Sequence, residues 1–260
     1  MNDKSMNDAL REGQYARKQI FCRSGLISWS HRRRFEIALE IARDFAGQRI
    51  LDYGCGDGTF LAMLMDSAQP PKLAVGAEVS DELLAGCRKR FADLAGLSFV
   101  HVRELEAGGQ AGQYDAVVCM EVLEHVVEMD AMLASLERLL APGGRLVVSV
   151  PVEIGPALLV KQTVRRIAGW RGIGDYPGTS PYTLAELAKS LLCGDQPHIT
   201  RPRHRQPDGL EFFDHKGFNW KWLRKKIGER FDVETTSASP VRWLPPGLAS
   251  QVWITARKRG

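Results

Sequence analysis

The stretch that most constrains the fold is ILDYGCGDGTF at residues 50–60, in which glycines alternate between two apolar runs. Ile50 and Leu51 precede the glycines, and an apolar run of helical composition, Phe60 to Leu64, follows them. A strand, a glycine turn and a helix in this order commonly bind a ligand, because glycine allows the backbone to approach it closely. The stretch therefore predicts a ligand-binding turn after a buried strand.

Beyond this turn, apolar runs of strand length alternate with segments of helical period, which is typical of an α/β fold with a largely parallel sheet. The predicted strands are RILDYG from 49, LAVGAEV from 73, LSFVHV from 97, YDAVVCM from 114 and GRLVVSVPV from 144. The predicted helices cover 31–46, 58–67, 81–94 and 129–140; Ser80 caps the third, and APGG at 141 ends the fourth. The arginines of 31–46 are expected on its solvated face.

The alternation stops after 151 and returns with a helix at 217–229 and two strands from 231 and 250. We therefore expect one domain over 1–260, made of four parts. These are an N-terminal helical segment (1–48), a cofactor-binding half (49–151), an insertion that forms a lid (152–213), and a C-terminal helix with two strands (214–260).

The composition restricts the cellular setting. The five cysteines are scattered and odd in number, without a CxxC pair, which indicates a reducing compartment and argues against structural zinc. No run of about 18 apolar residues and no apolar N-terminal leader is present, so we expect a cytoplasmic protein. The net charge of +4 permits an anionic partner without requiring one.

Two cofactor classes compete for the glycine turn. A dinucleotide fingerprint is G-x-G-x-x-G, but here Thr59 stands where the third glycine would fall. The turn contains Asp57, follows Asp52 and has no lysine or arginine, so its charge would repel a pyrophosphate. A sulfonium and an ammonium group would be attracted instead. The charge of the turn therefore favours S-adenosylmethionine.

Glu78 ends the second predicted strand, where a carboxylate can accept hydrogen bonds from both hydroxyls of a ribose. The alternative is that Glu78 only begins a solvated turn before the Ser80 cap. Combined with the glycine turn, its position favours ribose binding.

These residues, with YDAVVCMEVLEHV at 114–126 and LLAPGGRLVVSVP at 139–151, resemble the class I S-adenosylmethionine-dependent methyltransferases, and most closely the subgroup of the ubiquinone-biosynthesis O-methyltransferases. The resemblance implies a Rossmann-like seven-stranded sheet of order 3-2-1-4-5-7-6, with the last strand antiparallel, helices on both faces and an insertion after strand five. It also implies that S-adenosyl-L-methionine is bound by Asp52, Gly54, Cys55, Gly56, Glu78, Val79, Met120 and Glu121. Of these, Val79 would lie near the adenine; Arg103 and Glu104 leave the second adenine contact open.

The segment MEVLEHV supplies the candidates for catalysis at the end of the fourth strand. A hydroxyl acceptor loses its proton as it attacks, and histidine is a suitable base at neutral pH. We therefore expect His125 to be the base or to orient the acceptor, with Glu124 beside it. Alternatively, Glu121, Glu124 and His125 form helix-surface pairs, or hold a divalent cation as related ubiquinone-pathway enzymes imply. The sequence leaves the metal open.

The insertion is expected to select the acceptor, which we predict to be a hydroxyl of a small molecule, a lipid-linked intermediate or a glycan. Its segment PALLVKQTVRRIAGW predicts a lid helix packed through one apolar face; peripheral membrane contact is the alternative. That face comprises Ala157, Val160, Val164, Ile167 and Ala168, and Lys161, Arg165 and Arg166 lie away from it.

Other motifs bear on the partner. TRPRHRQ at 200–206 lacks interleaved aromatic residues, and CMEV replaces the Asn/Asp-Pro-Pro-Tyr/Phe motif of amino-directed methyltransferases, so nucleic acid is disfavoured as the acceptor. His215 and Lys216 precede the last helix and are further candidates for the acceptor pocket. An RNA methyltransferase and a non-catalytic cofactor-binding regulatory subunit remain the alternatives, and the sequence does not determine the oligomeric state.

Overall fold

The structure is a computed structural model that describes residues 8–22, 25–107, 109–170, 180–206 and 209–260. Its strands are β1 (Arg49–Tyr53), β2 (Leu73–Glu78), β3 (Leu97–His101), β4 (Tyr114–Met120), β5 (Leu140–Pro151), β6 (Arg203–Arg205), β7 (Glu211–Phe213), β8 (Phe231–Ser239) and β9 (Gln251–Lys258). Its α-helices are α1 (Gly25–Ala42), α2 (Thr59–Met65), α3 (Asp81–Arg90), α4 (Val102–Glu106), α5 (Met129–Leu139), α6 (Pro156–Trp170), α7 (Leu184–Leu192) and α8 (Trp220–Arg230).

The main sheet has seven strands in the order β3-β2-β1-β4-β5-β9-β8, and its last pair is antiparallel. Strand β1 is parallel to both neighbours, with Leu51 opposite Val75 of β2 and Val117 of β4. The predicted α/β class and the order 3-2-1-4-5-7-6 are therefore confirmed. Since β1 to β4 are parallel, the residues that follow β1 and β2 lie at the same edge of the sheet.

The described chain divides into two compact units. The first comprises Met1–Met120, Ser135–Val147 and Arg257–Gly260, and the second comprises Glu121–Ala134 and Val148–Ala256. Helix α5 and strands β5 and β9 have residues in both units.

The core of the first unit forms around β1, whose residues after Arg49 are buried. Helix α1 packs through Phe35, which stacks on Phe60 of α2 with ring centroids 6.5 Å apart. The turn before α2 requires glycine, because Gly58 has φ of 71° and a Cβ there would lie 2.9 Å from the Phe99 ring. The predicted cap of α3 is confirmed: the Ser80 hydroxyl accepts a hydrogen bond from the backbone N–H of Leu83.

The core of the second unit forms around β8, β9 and α8, with Phe231, Trp253 and Leu223 fully buried. Helix α8 begins at Trp220, because the Asn219 side chain accepts hydrogen bonds from the backbone N–H groups of Lys221 and Trp222. The helix predicted over 217–229 therefore begins at Trp220 instead. Asn219 is an effective cap, since its short amide satisfies two N–H groups that have no helical partner.

The insertion is more regular than its sequence suggests, since it contains α6, α7 and the hairpin β6–β7. Helix α6 does not bury the face that its sequence predicts: Val160 and Val164 are 65% and 50% exposed, whereas Ala157 and Leu158 are buried. The side chains of Arg166, Ile167 and Ala168 lie outside the described residues. Among the residues that are described, no helix combines the length and apolar character needed to cross a membrane.

Candidate functional site

The glycine turn after β1 is joined to the end of β2 by the Glu78 carboxylate. Its Oε2 accepts a hydrogen bond from the N–H of Gly56 at 2.9 Å. Its Oε1 accepts from the N–H groups of Val79 at 2.8 Å and Ser80 at 3.2 Å. Glu78 is therefore no mere solvated turn residue: it fixes Gly56 against the neighbouring strand. Gly54 and Gly56 adopt φ of 81° and 55°, which glycine allows without strain.

The turn also contains buried acidic and thiol groups. Asp52 is 2% exposed, and burial together with the nearby Glu78 charge raises the pKa of its carboxyl to about 8. Cys55 lies beside Cys87 of α3, whose thiol also contacts the Gly56 carbonyl. The hydrogen bond from Cys55, with the charge of Arg90, lowers the pKa of Cys87. A cationic ligand bound here would face acidic side chains, and the turn itself contains no lysine or arginine that would repel it.

Asp57 does not face a ligand as an unpaired carboxylate. It is 5% exposed and accepts hydrogen bonds from the backbone N–H groups of Tyr15 and Ala16 and from the hydroxyl of Thr59. The charge argument from the sequence therefore rests on Glu78, and on Asp52 once a cationic ligand ionises it, whereas the charge of Asp57 is satisfied within the protein. No periodicity in the sequence points to this contact with the N-terminal segment.

The structure also corrects the predicted position of Arg34. It was expected on a solvated face of its helix, but it is only 8% exposed, and its Nη2 donates to Nδ1 of His31 at 2.9 Å. No local signal marks this burial, because successive residues of a helix lie on different faces and the buried Phe35 does not place its neighbour.

Around the predicted adenine contact, Val79 is 46% exposed. Its carbonyl lies 3.0 Å from Nε2 of His101, a residue that sequence reasoning missed. Glu104 accepts a hydrogen bond from the N–H of His101 as part of a capping box, while Arg103 is exposed. These contacts do not identify Arg103 or Glu104 as the second adenine contact.

Met120 ends β4 and is partly buried, and Glu121 directly follows it. Among the described residues, Glu121 is the single non-glycine residue with a positive φ, which is 56°. Its N–H donates to the Ser149 carbonyl at 2.9 Å, and its Oε1 accepts from the Ser149 hydroxyl at 3.3 Å. A left-handed backbone costs such a residue about 1 kcal/mol or more, and this kind of strain concentrates at functional sites.

The second unit brings Glu124, His125 and His215 together. Nδ1 of His125 lies 2.7 Å from the Phe213 carbonyl, and since a carbonyl only accepts, Nδ1 carries the proton. In the neutral ring, Nε2 is then the basic nitrogen. It lies 3.9 Å from Oε1 of Glu124, whose side chain is fully buried, while His125 is 36% exposed.

His215 is the residue that completes this cluster. Its ring lies 4.9 Å from that of His125 in an edge-to-face arrangement. Burial lowers the pKa of His215 to about 4, against the opposing charge of Glu153, so the ring is neutral at neutral pH. One ligand atom from each of Glu124, His125 and His215 lies within 4.8 Å of the others. Glu121 is not part of this set, which differs from the Glu121, Glu124 and His125 set that the resemblance implies.

Arg201 fixes the two segments that carry this cluster. Its guanidinium donates to the backbone carbonyls of Glu124 and Asp214 and lies 4.3 Å from the centre of the Phe213 ring. Burial lowers the pKa of Arg201 to about 10, while Glu124 and Asp214 partly offset that effect. The other arginines of this basic stretch, Arg203 and Arg205, pair with Glu211 across the hairpin. Arg201 is thus a structural residue here rather than a phosphate ligand.

Lys216 is likewise engaged, because its ammonium contacts two residues of the insertion, the Pro181 carbonyl at 2.8 Å and Glu186 at 2.9 Å.

Lys161 and Arg165 of α6 also point towards the protein. Both contact the fully buried Glu153, Lys161 at 3.0 Å and Arg165 through two hydrogen bonds. Burial alone would raise the pKa of Glu153, but these two cations lower it. Their charges are compensated within the protein, a contact that the sequence did not predict, because a buried carboxylate requires partners.

A family model described as a methyltransferase domain matches residues 28–191 of this chain. The chain is also similar to two proteins named ubiquinone biosynthesis O-methyltransferase. That of Xanthomonas oryzae is 40% identical over 113 residues, which are 41% of this chain and 44% of the relative, so less than half of that relative is spanned. That of Ruegeria pomeroyi is 32% identical over 212 residues, 77% of each chain.

Among solved structures, the chain resembles the magnesium protoporphyrin IX methyltransferase of Synechocystis, crystallised with bound SAH. The TM-score is 0.53 at 19% identity, covering 98% of this chain and 93% of that one. At this identity the likeness concerns the fold alone.

Proposed function

The chain belongs to the S-adenosylmethionine-dependent methyltransferases, and we propose that it transfers the methyl group to a hydroxyl of a small-molecule acceptor. The donor is S-adenosyl-L-methionine, and the proposed step is an in-line displacement at its methyl carbon. The protein must hold donor and acceptor at attack distance and take up the hydroxyl proton. The names of the relatives support an oxygen acceptor.

The observation that carries this proposal is the tautomer of His125. Because Nδ1 donates to the Phe213 carbonyl, Nε2 carries the lone pair that can accept a proton. Glu124, 3.9 Å away, would stabilise the imidazolium that forms. We therefore retain His125 as the proposed base and Glu124 as its partner. His215, which is neutral at neutral pH, adds an uncharged imidazole beside the base without competing for the proton.

For the cofactor we propose the residues of the glycine turn in the first unit. Asp52, Gly54, Cys55 and Gly56 would contact the methionine moiety, and Glu78 the ribose. In the structure Glu78 already accepts three backbone hydrogen bonds, so a ribose hydroxyl would use the remaining lone pair or replace one of them. Val79, Met120 and Glu121 remain proposed contacts. The exposure of Val79 agrees with an aromatic ligand lying against it.

A divalent cation fits the second unit by its donor set. Glu124, His125 and His215 offer one carboxylate and two imidazoles within 4.8 Å, and Nδ1 of His215 has no hydrogen-bond partner among the described residues. These ligands suit first-row divalent metals. A cation held there would lower the pKa of a bound hydroxyl and so supply part of the activation otherwise assigned to His125.

The chemical class of the acceptor rests on less direct observations. Helix α6 exposes Leu159, Val160 and Val164, an apolar surface that suits a lipid-linked acceptor or contact with a membrane. Arg201 and Arg205 of the basic stretch at 200–206 are engaged with carbonyls or a carboxylate, which weakens the alternative of an RNA acceptor. A glycan hydroxyl remains within the proposal.

The test is to incubate the protein with S-adenosylmethionine labelled in its methyl group and with fractionated cell extract. We expect label in the small-molecule or lipid fraction, as a product stable to mild base in the manner of an ether. Label in RNA would overturn the proposed acceptor. Binding of the cofactor without transfer to any fraction would support a regulatory subunit instead.

A further inference from the structure

Arg201 donates to three backbone carbonyls, and each belongs to a direct neighbour of a histidine in the cluster. Its Nη2 donates to the carbonyl of Glu124, the residue before His125. Its Nη2 and Nε also donate to the carbonyls of both neighbours of His215, the one before it at 2.8 Å and the one after it at 3.3 Å. One side chain of the second unit thus holds the backbone beside both imidazoles.

The carbonyl that fixes the proton of His125 lies in a short hairpin. Nδ1 of His125 lies 2.7 Å from the carbonyl of Phe213 in β7. Strands β6 and β7 have three residues each and pair with one another, and every residue of β6 is exposed. A two-stranded hairpin by itself is at best marginally stable in water. Contacts from outside the hairpin must therefore hold this carbonyl against the imidazole.

The Arg201 guanidinium supplies such contacts. Its central carbon lies 4.3 Å from the centre of the Phe213 ring and 5.4 Å from that of Phe218. A guanidinium can lie against aromatic rings while its planar fork donates several hydrogen bonds, whereas a lysine ammonium is a single point charge. Since the ring and the carbonyl belong to the same residue, a contact that holds the Phe213 ring also restricts the direction of its carbonyl.

We propose that Arg201 is a positioning residue for the base: it holds the hairpin so that the Phe213 carbonyl stays on Nδ1 of His125 and Nε2 remains the proton acceptor. In a neutral imidazole one nitrogen carries the proton and the other the lone pair, and the hydrogen bond at one nitrogen decides which form is present. Without a fixed carbonyl, the ring would also populate the form protonated on Nε2, which cannot accept the hydroxyl proton there. The inference rests on the proposed role of His125.

The position of this proton can be measured without an acceptor. Long-range ¹H–¹⁵N correlation spectra of protein labelled with ¹⁵N-histidine report the tautomer of each ring, and the signals missing from His125→Asn are those of His125. A chelator keeps the cluster free of cations during the measurement. In the wild type we expect His125 to be protonated on Nδ1.

In Arg201→Gln the guanidinium is lost, so the form of His125 protonated on Nε2 should appear in the spectrum. We expect kcat to fall about 10-fold, because a fraction of the rings keeps the competent form and the loss stays below that of removing the base. Calorimetry should give an unchanged Kd for S-adenosylhomocysteine, since the proposed cofactor residues lie in the glycine turn.

Arg201→Lys provides a second variant, which keeps the positive charge and loses the planar fork. It should show the same shift of tautomer, because an ammonium cannot replace the fork that donates to carbonyls beside both histidines. The matched control is Arg205→Gln in the same hairpin, since the Arg205 side chain is 69% exposed and pairs with Glu211. An exposed ion pair contributes little to stability, so this control should keep the tautomer and kcat of the wild type.

The outcomes separate this inference from the proposed function. A folded Arg201→Gln or Arg201→Lys variant in which His125 stays protonated on Nδ1 as in the wild type would overturn the inference, whatever happens to kcat. Failure of both variants to fold would overturn it as well, because Arg201 would then support the unit as a whole. If the tautomer shifts while kcat is unchanged, Arg201 does hold the ring, but His125 is not the base and the proposed mechanism fails.

Discussion

The rings of His125 and His215 meet edge to face at 4.9 Å, although His125 follows β4 and His215 belongs to the loop before α8. The Phe213 carbonyl fixes the proton of His125 on Nδ1, and burial keeps His215 neutral. Two imidazoles beside a buried carboxylate can serve proton transfer or hold a cation. The first two predictions separate these roles.

Replacing His125 by asparagine should isolate the role of Nε2. The asparagine amide can still donate to the Phe213 carbonyl, but it has no atom in place of Nε2. We expect cofactor affinity to remain within about twofold and kcat to fall by about 10²–10⁴, the usual scale of general acid–base assistance. Steady-state kinetics with the identified acceptor, and calorimetry with S-adenosylhomocysteine, measure the two effects. Near-wild-type kcat in a folded His125→Asn variant would leave the histidine a purely structural role.

Removal of any bound metal should show whether the acceptor is activated by His125 as a base or by a cation. If His125 is the base, wild-type protein treated with a chelator and desalted should keep its turnover. Loss of turnover on chelation, restored by Mg²⁺ or Mn²⁺ in the wild type but not in Glu124→Gln or His215→Gln, would assign activation to a cation at the cluster. Binding of Mn²⁺, followed by electron paramagnetic resonance, provides a readout that does not depend on catalysis.

His215 should make folding stability depend on pH. Its pKa is lowered from 6.5 to about 4 by burial, so the unfolded chain binds its proton more readily than the folded chain. Between these values the unfolded state holds more protons, and the free energy of unfolding should fall as pH falls from 6.5 towards 4. The loss should be about 2–3 kcal/mol, as each pKa unit corresponds to about 1.4 kcal/mol.

Urea unfolding at several pH values between 4 and 7, in wild type and His215→Gln, measures this dependence. The difference between the two proteins isolates His215 from the acids that titrate in the same range. Parallel pH profiles for the two proteins would contradict the prediction.

Glu78→Ala should weaken cofactor binding through two losses, the ribose contact and the hydrogen bond that fixes Gly56. We expect about 1–3 kcal/mol, which is about 5- to 150-fold in Kd for S-adenosylhomocysteine, from losing charge-assisted hydrogen bonds. Calorimetry measures it. The exposed Asp93 provides the control, since Asp93→Ala removes an acid of the same unit without contact to the turn. Unchanged affinity in Glu78→Ala would refute the ribose role.

Binding of S-adenosylmethionine should release a proton from Asp52. With a pKa of about 8, this carboxyl is mostly protonated at pH 7. A cationic ligand beside it favours the ionised form and lowers that pKa, so a proton leaves. Calorimetry in buffers of different ionisation enthalpy should show release approaching about one proton per ligand. Asp52→Asn should remove it, and S-adenosylhomocysteine, which lacks the sulfonium, should release less. Equal release in wild type and Asp52→Asn would mean that another group is responsible.

The sequence by itself determined the α/β class, the strand order through its family resemblance, and the location of the glycine turn. These follow from local patterns: apolar period sets strand and helix, and Gly58 is required where φ is positive and Phe99 lies close. The helix caps were less secure. The Ser80 cap was predicted correctly, but α8 begins at Trp220 after the Asn219 cap rather than at 217, because several nearby residues are competent caps.

Only the tertiary structure decided where charges and distant side chains go. Arg34 was expected on a solvated face, yet it is buried against His31. Lys161 and Arg165 neutralise the buried Glu153, a contact that the sequence did not predict. His215 joins Glu124 and His125 because Arg201 and the Phe213 carbonyl bring their loops together. A charged side chain is placed by the partner that compensates its desolvation, and that partner is distant in sequence, so no local pattern records it.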